Sequence, residues 1–517
     1  MRGRRSLVAG FGVGALTGVL AVVVASNAGE DPGQRAASPL HDAIAEAQAA
    51  RDIPATRPEQ EKTQHDLSDV FAATKAEPSS SALEEQPQKG QITGFDFYRD
   101  PLDAKRPMQT FEETMAADVA LKSKVMAEQR ALLERRYNLT PKLDPEAKMS
   151  RGKPLAVGPT ARLAEGLTWD RLAAMSPAEI HRAGAFPYPA LPHPKQSTGG
   201  QVFPPMQTQM FPRLVRFDVD FDLPEAFLPE FPPAIFLQSR PELGDVSRGE
   251  VVSINNFYRL FKDILTPVQL SGLQFLLTPF PQEEFNPTDD RKSAQPTLGV
   301  ACFDCHVNGH TTGQFHLNPD DRPQQRRLRL DTTSLRGVFN QQIHASKRSL
   351  RSVEDFTEFE QRTAYFNGDP IHAMKKGFIQ LDRVRVSHMA QLQNMLDFPP
   401  APKLDPDTGR LLAEKATESE RRGESVFFGK GRCAVCHPAP FYLDHLMHDL
   451  QLERFVDEAP LGRMKTFTLR GIKDSPPYLH DGRCLTLEDT VEFFNLVLGV
   501  NLTSQEKTDL VAFMRQL

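Results

Sequence analysis

Cys302-Phe303-Asp304-Cys305-His306 and Cys433-Ala434-Val435-Cys436-His437 are the two stretches from which the rest of this chain is best read. In C-x-x-C-H, two thiols on one turn can each form a thioether with a haem vinyl group. The imidazole that follows projects under the iron as an axial ligand. The pattern therefore specifies Cys302, Cys305, Cys433 and Cys436 as covalent anchors, with His306 and His437 as iron ligands. C-x-x-C alone also serves zinc sites and thiol redox pairs. A zinc site needs further Cys or His at suitable spacing, and a redox pair needs no His after it. Two copies of the whole five-residue pattern favour haem.

The segments downstream of each motif are also repeated. After the first come Thr333-Ser334-Leu335-Arg336-Gly337-Val338 and then Ser352-Val353-Glu354-Asp355-Phe356-Thr357-Glu358-Phe359. After the second come Phe467-Thr468-Leu469-Arg470-Gly471-Ile472 and then Thr486-Leu487-Glu488-Asp489-Thr490-Val491-Glu492-Phe493. Cys302 lies 34 positions before Arg336 and Cys433 lies 37 before Arg470, while Arg336 to Glu354 and Arg470 to Glu488 both span 18. The duplication predicts a mainly α protein with two tandem cytochrome c-like haem domains, residues 245–400 and 401–517. Between them, Phe398-Pro399-Pro400-Ala401-Pro402 reads as a linker.

An irregular, partly disordered N-terminal region precedes the two units. Residues 1–28 join a basic start to an uncharged apolar run from Leu7 to Ala25, which reads as an export signal, either cleaved or retained as a membrane anchor. Residues 29–90, rich in Ala, Glu, Gln, Ser and Pro, read as a disordered tether. Residues 91–244 read as a helical and Pro-rich accessory region. Within it, Thr110 and Glu113 are placed as a capping box for a helix to about Tyr137, with Phe111, Met115 and Val119 on one face. The alternation of Val215, Phe217, Val219 and Phe221 with Arg216, Asp218, Asp220 and Asp222 predicts a strand with a solvated acidic side.

The remaining composition narrows the function. A chain of 517 residues with 39% apolar content can build several cores. A net charge of −6, from 61 basic and 67 acidic residues, offers no basic excess for nucleic acid. Four of the five cysteines belong to the two motifs, so a disulfide scaffold is excluded, and Cys484 reads as a buried free thiol.

With these two units and the segment Thr468-Leu469-Arg470-Gly471-Ile472 through Pro477-Tyr478-Leu479-His480-Asp481-Gly482-Arg483, the chain resembles the bacterial di-haem cytochrome c peroxidase and MauG family over about residues 245–517. The resemblance implies a periplasmic oxidoreductase with two haem c groups and a calcium ion between the haem domains. His306 would hold the haem that reacts with hydrogen peroxide or another oxidant, and His437 the haem that relays electrons. The electrons would come from a small redox protein or a quinone-linked donor. The resemblance also implies a place near the haems for His480. For Arg470 it leaves either a haem propionate or a simple capping role.

Three departures from the family stand out. The position of the C-terminal haem's sixth ligand, Met or Tyr in the family, is Phe494, which cannot ligate iron; His445, Met447 and His448 are the nearest substitutes in sequence. The inter-haem tryptophan position is Ser346, and the chain's single tryptophan, Trp169, lies outside the matched region. The distal Gln and Glu positions are Phe356 and Phe366. Peroxide cleavage needs a group that moves a proton between the two oxygens. Glu358, Glu360, Gln361, His310 and His316 are the candidates for that work. A pure electron-transfer cytochrome and a haem-dependent oxygenase are the alternative functions.

Overall fold

Two helix crossings, one associated with each haem motif, form the frame. In a computed structural model that describes residues 111–194, 201–215, 218–279, 281–282, 297–298, 300–317, 329–360 and 382–517, the chain is mainly helical, and these residues belong to one compact unit, Pro87–Leu517. The helices are α1 Phe111–Arg136, α2 Trp169–Ala173, α3 Pro177–Ala183, α4 Pro205–Met210, α5 Phe257–Phe261, α6 Pro267–Leu276, α7 Cys302–Cys305, α8 Val353–Phe359, α9 Arg383–Gln393, α10 Glu418–Phe428, α11 Leu487–Leu498 and α12 Ser504–Met514. The strands are short: β1 Leu143–Lys148, β2 Pro154–Ala156, β3 Gln201–Val202, β4 Pro281–Gln282, β5 Thr297–Leu298, β6 Phe315–Leu317, β7 Arg329–Asp331, β8 Met447–His448 and β9 Met464–Lys465. All pairings are antiparallel: β1 with β2, β3 with β6 and β6 with β7, β4 with β5, and β8 with β9.

Reciprocal capping boxes set several helix starts: Thr266 with Gln269 on α6, Thr417 with Glu420 on α10, Thr486 with Asp489 on α11 and Thr503 with Glu506 on α12. Helices α6 and α9 cross where a Cβ on Gly272 would run into the carbonyl of His388. Helices α10 and α12 cross in the same way at Gly423 against Asp509. Glycine at each crossing lets the backbones touch.

The duplication read from the sequence is also a duplication of local geometry. Gly337 and Gly471 both take the left-handed conformation, with φ 72° and 74°, and each opens a 3-10 turn. Their N–H groups donate to Leu396 at 2.9 Å and Leu517 at 2.8 Å, the carbonyls just beyond α9 and α12. The preceding Arg336 and Arg470 N–H groups donate to Ser334 Oγ and Thr468 Oγ1, both at 3.1 Å. The loops that come next are closed by equivalent bridges, His344 with Leu350 and Tyr478 with Cys484.

The region expected to be accessory is built into this frame. Leu133, Tyr137, Leu172, Phe186, Leu191 and Phe227 share one core with Phe427, Tyr442, Val491, Phe493 and Phe513. Tyr137 Oη donates to the Arg483 carbonyl at 2.9 Å, and Asp489 accepts from Thr160 N and Ala161 N at 2.7 and 3.1 Å. Ile235 and Leu237, placed in the accessory region by sequence, instead join the core of α5, α6 and α9.

Two local expectations are corrected. Val215 and residues 218–222 form no strand; Asp218 is buried, and Asp222, partly buried with its side chain turned inward, pairs with the fully buried Arg329. The alternation reflects Val219 and Phe221 packing with Val202 and Phe315, while on the other side Asp222 is held by Arg329 and Asp220 stays exposed, paired with Lys122 at 2.7 Å. Helix α1 exists as expected, but Val119 is 48% exposed and the helix packs chiefly through its C-terminal half, at Gln129 and Leu133. The signal or anchor, the tether, Thr110, Gln361 and Phe366 lie outside the described residues. Among the described residues, no helix is long and apolar enough to cross a membrane.

Candidate haem cavity

Each motif curls into a single turn that brings its histidine back over its first cysteine. His306 N donates to Cys302 O at 3.0 Å, and His437 N to Cys433 O at 2.9 Å. In the first motif, Asp304 holds the turn by accepting from Ala301 N at 2.6 Å and pairing with Arg213 at 2.7 Å.

Both imidazoles face a backbone carbonyl through Nδ1, His306 at Thr333 O (2.9 Å) and His437 at Tyr442 O (2.8 Å). A carbonyl can only accept, so Nδ1 carries the proton and Nε2 keeps its lone pair. That is the arrangement by which a protein orients an imidazole toward a metal. Burial lowers both rings, His306 to about 4, which keeps them neutral.

The competing chemistries fit poorly. All five cysteines are unbridged, and burial pushes Cys302 and Cys433 up to about 12, the reverse of a reactive redox pair. Among the described residues, the only three metal-capable side chains that converge on one point are Cys436, Asp444 and His448, so neither motif gathers its two thiols and histidine as zinc requires.

One cavity of about 480 Å³ is lined by Cys302, Cys305, His306, Cys436 and His437 together. This is the range of a cofactor pocket. Both motifs therefore open on a shared interior.

The other expected residues separate by position. Glu360 lines the cavity one helical turn after Phe356, whereas Glu358 points away to Arg383. His316 lines the cavity beside His306. His310 reaches the cavity wall, but both ring nitrogens are taken, by Ser334 Oγ at 2.7 Å and Asp474 O at 2.9 Å. It ties the two repeats together, and the geometry gives it no free nitrogen for acid–base work. Arg470 also lines the cavity, but it caps the Leu517 and Pro399 carbonyls at 3.0 and 3.2 Å. His480 and Phe494 line the cavity. Of the three substitutes for Phe494, only His448 does so, and its Nε2 is held by Asp444 at 2.6 Å. Trp169 packs on Phe186 at 5.5 Å, and Cys484 is fully buried.

Sequence reasoning missed three cavity residues: Asp331, His344 and Lys465. Asp331 and Lys465 each stand five residues before the repeated arginine, and that shared register was the available signal. Both oxygens of Asp331 are buried without a hydrogen-bond partner, and burial raises its carboxyl well above the usual range.

No family model matches the chain. It is 28% identical to the cytochrome-c peroxidase IdrP1 of Denitromonas iodatirespirans over 148 aligned residues, covering 19% of this chain and 39% of that one. It is 30% identical to the methylamine utilization protein MauG of Methylorubrum extorquens over 122 residues, covering 19% of this chain and 34% of that one. The chain thus spans about two fifths of the length of the cytochrome-c peroxidases it matches. Among solved structures, hydrazine synthase of Kuenenia stuttgartiensis matches with a TM-score of 0.31 at 21% identity, over 52% of this chain and 94% of that one. A MauG-like protein associated with microbial copper homeostasis matches with a TM-score of 0.33 at 16% identity, over 50% and 90%. With curated relatives named both as cytochrome-c peroxidases and as MauG, the chain is similar, at low sequence identity and over about a fifth of its length, to the MauG and di-haem peroxidase family.

Proposed function

We propose that this chain is an exported oxidoreductase with two covalent haem c groups in tandem haem domains, at about residues 245–400 and 401–517, that reduces a peroxide at the first haem with electrons passed on by the second. The observation that carries this reading is the pair of imidazoles, each fixed through Nδ1 to a backbone carbonyl and both lining one cavity with Cys302, Cys305 and Cys436.

When bound, haem supplies an iron that takes up electrons and can act on an O–O bond. Cys302, Cys305 and His306 would hold one haem, and Cys433, Cys436 and His437 the other. Reducing hydrogen peroxide to two waters consumes two electrons and two protons. With Phe356 in place of the family's glutamine, Glu360 on the same helical face is the carboxyl that can hold a proton, and His316 stands near the opposite motif residue His306. The apolar walls given by Leu276, Phe356, Phe493 and Phe494 exclude water.

Asp331 fits the family's calcium ion, because a hard cation takes carboxylate and carbonyl oxygens and both Asp331 oxygens are unpartnered, Oδ2 close against Gly482. The donor would be a small redox protein or a quinone-linked carrier.

The deciding experiment is the absorption and EPR spectrum of the haem-loaded protein, oxidised and half-reduced, with and without hydrogen peroxide. A high-spin haem whose spectrum changes on peroxide addition supports the enzyme. Two unchanging low-spin haems make the protein an electron carrier, and dioxygen uptake without peroxide turnover makes it an oxygenase.

A further inference from the structure

Lys465 is a buried cation at the junction of the two repeats, only 5% exposed and lining the haem cavity. Its N–H donates to Ser346 O at 2.8 Å, at the position where the family has its tryptophan, and its Nζ donates to the Gln341 carbonyl. No carboxylate stands against it among the described residues. The charge that acts on Lys465 is a second cation, Arg348, and burial lowers the amine to about 8. His344 lies in the same wall, with its Nε2 buried and unpartnered, and Lys465 acts on it in turn. Arg348 Nε is likewise buried without a partner.

Taking an ammonium out of water costs several kcal/mol unless an anion meets it. Here two buried donors, Lys465 Nζ and His344 Nε2, belong to residues lining one cavity, with Arg348 acting on Lys465 from behind that wall, and the carboxylate that acts on this group, Glu354, acts on His344 and not on Lys465. The occupant should therefore bring a carboxylate. Once its vinyl groups are consumed by thioethers, haem c keeps two carboxylates as its anionic groups.

We propose that Lys465, assisted by His344 and Arg348, receives a haem carboxylate at the junction of the repeats, where Ser346 replaces the aromatic residue of the family. The inference rests on the two-haem function proposed above. Lys465 is a positioning residue: it fixes one edge of a haem and, by neutralising its carboxylate, favours the reduced iron, which carries one positive charge fewer.

The test is spectroelectrochemical titration of both haems in Lys465→Gln, which keeps a hydrogen-bond donor but loses the charge, with Lys465→Arg as the rescue. Lys347→Gln is the control, since Lys347 is not itself part of the cavity wall and spends its ammonium on the Leu461 and Arg463 carbonyls. Lys465→Gln is expected to lower the reduced-to-oxidised ratio of one haem about tenfold at fixed potential, equivalent to about 59 mV for one electron. Lys465→Arg and Lys347→Gln should stay within about twofold. Unchanged potentials in Lys465→Gln overturn the proposal. A wild-type potential that follows added chloride or acetate also overturns it, by showing a free anion in the site. Should Lys465→Gln fail to load both haems, Arg348→Gln is expected to give a smaller shift of the same sign, and no shift there overturns the proposal as well. Haem content of the wild type, measured first, separates the two ideas. Fewer than two haems removes the function and this inference with it, whereas two haems with unmoved potentials removes the inference alone.

Discussion

The N–H of Asp331 donates to the carbonyl of His480 at 2.9 Å, and the N–H of Lys465 donates to the carbonyl of Ser346 at 2.8 Å. Asp331 and Lys465 hold the same register in the two repeats, and so do Ser346 and His480. Each repeat therefore reaches across to the equivalent residue of the other, as the two halves of an isologous contact do. The side chains have diverged where the backbone has not: one position carries an acid, the other a base.

Asp331→Asn tests the acid. If its carboxylate binds calcium, chelator should lower the thermal midpoint of the wild type, while Asp331→Asn should start at that lower midpoint and not respond to chelator. A bound ion at about one hundred times its Kd would account for about 2.7 kcal/mol. Equal chelator responses in both proteins would remove Asp331 from the site.

Covalent attachment is tested motif by motif. Cys302→Ala with Cys305→Ala is expected to leave one haem per chain, and Cys433→Ala with Cys436→Ala the other one. Pyridine haemochrome spectra of the denatured proteins count them, and two haems in either double variant would contradict the assignment.

Glu360→Gln should slow the peroxide-dependent spectral change by about 10²–10⁴-fold, the usual worth of a positioned acid–base group, without altering the resting spectrum. Glu358→Gln removes the pairing with Arg383 and should leave the rate unchanged. Stopped-flow mixing with peroxide compares them, and equal rates for Glu360→Gln and wild type would return the role to His316.

The buried pair of Arg336 and Asp474, at 2.9 Å, should be a stability determinant. Removing one partner of such a pair costs about 3–5 kcal/mol, so Arg336→Leu should unfold at lower urea. Burial pushes the Asp474 carboxyl up, but Arg336, His310 and Ser150 together hold it below the usual carboxylate range. A carboxyl depressed on folding stabilises above its unfolded pKa of about 3.9 and loses that contribution as pH falls further. Wild type and Arg336→Leu should therefore differ most near neutral pH and converge in acid. A gap constant across that range would place the effect elsewhere.

The parts legible in the sequence were those in which chemistry and spacing coincide. C-x-x-C-H needs five consecutive residues, and Leu-Arg-Gly recurs because only glycine fits a left-handed turn pressed against Phe398 in one repeat and Pro399 in the other. The segments from Ser352 and Thr486 were legible as repeats, and each proves to be a helix capped by that residue. Long-range pairing was not legible. The alternation at 215–221 looked like a strand because Asp222 carries no sign that Arg329 will bury it. Asp331 and Lys465 shared a register before the repeated arginine but nothing that gave them a role, since what makes each a cavity residue is a contact with the opposite repeat. His310 looked like a free imidazole beside its motif until Asp474, 164 residues away, occupied one of its nitrogens.

The core shared by residues 133–228 and 404–517 also dictates an order of assembly. Tyr137 and Arg483, joined by one hydrogen bond, are 346 residues apart in the chain. Contacts across such separations form late, because the intervening chain must be closed before they repay its lost freedom. Ribosomes make the stretch around Tyr137 well before Val491, Phe493 and Phe513, the apolar residues that share its core. The early-made segment stays uncovered until those residues have been made. Both cysteine pairs have then already been synthesised, and the second can meet its haem before the N-terminal stretch closes over the core behind it.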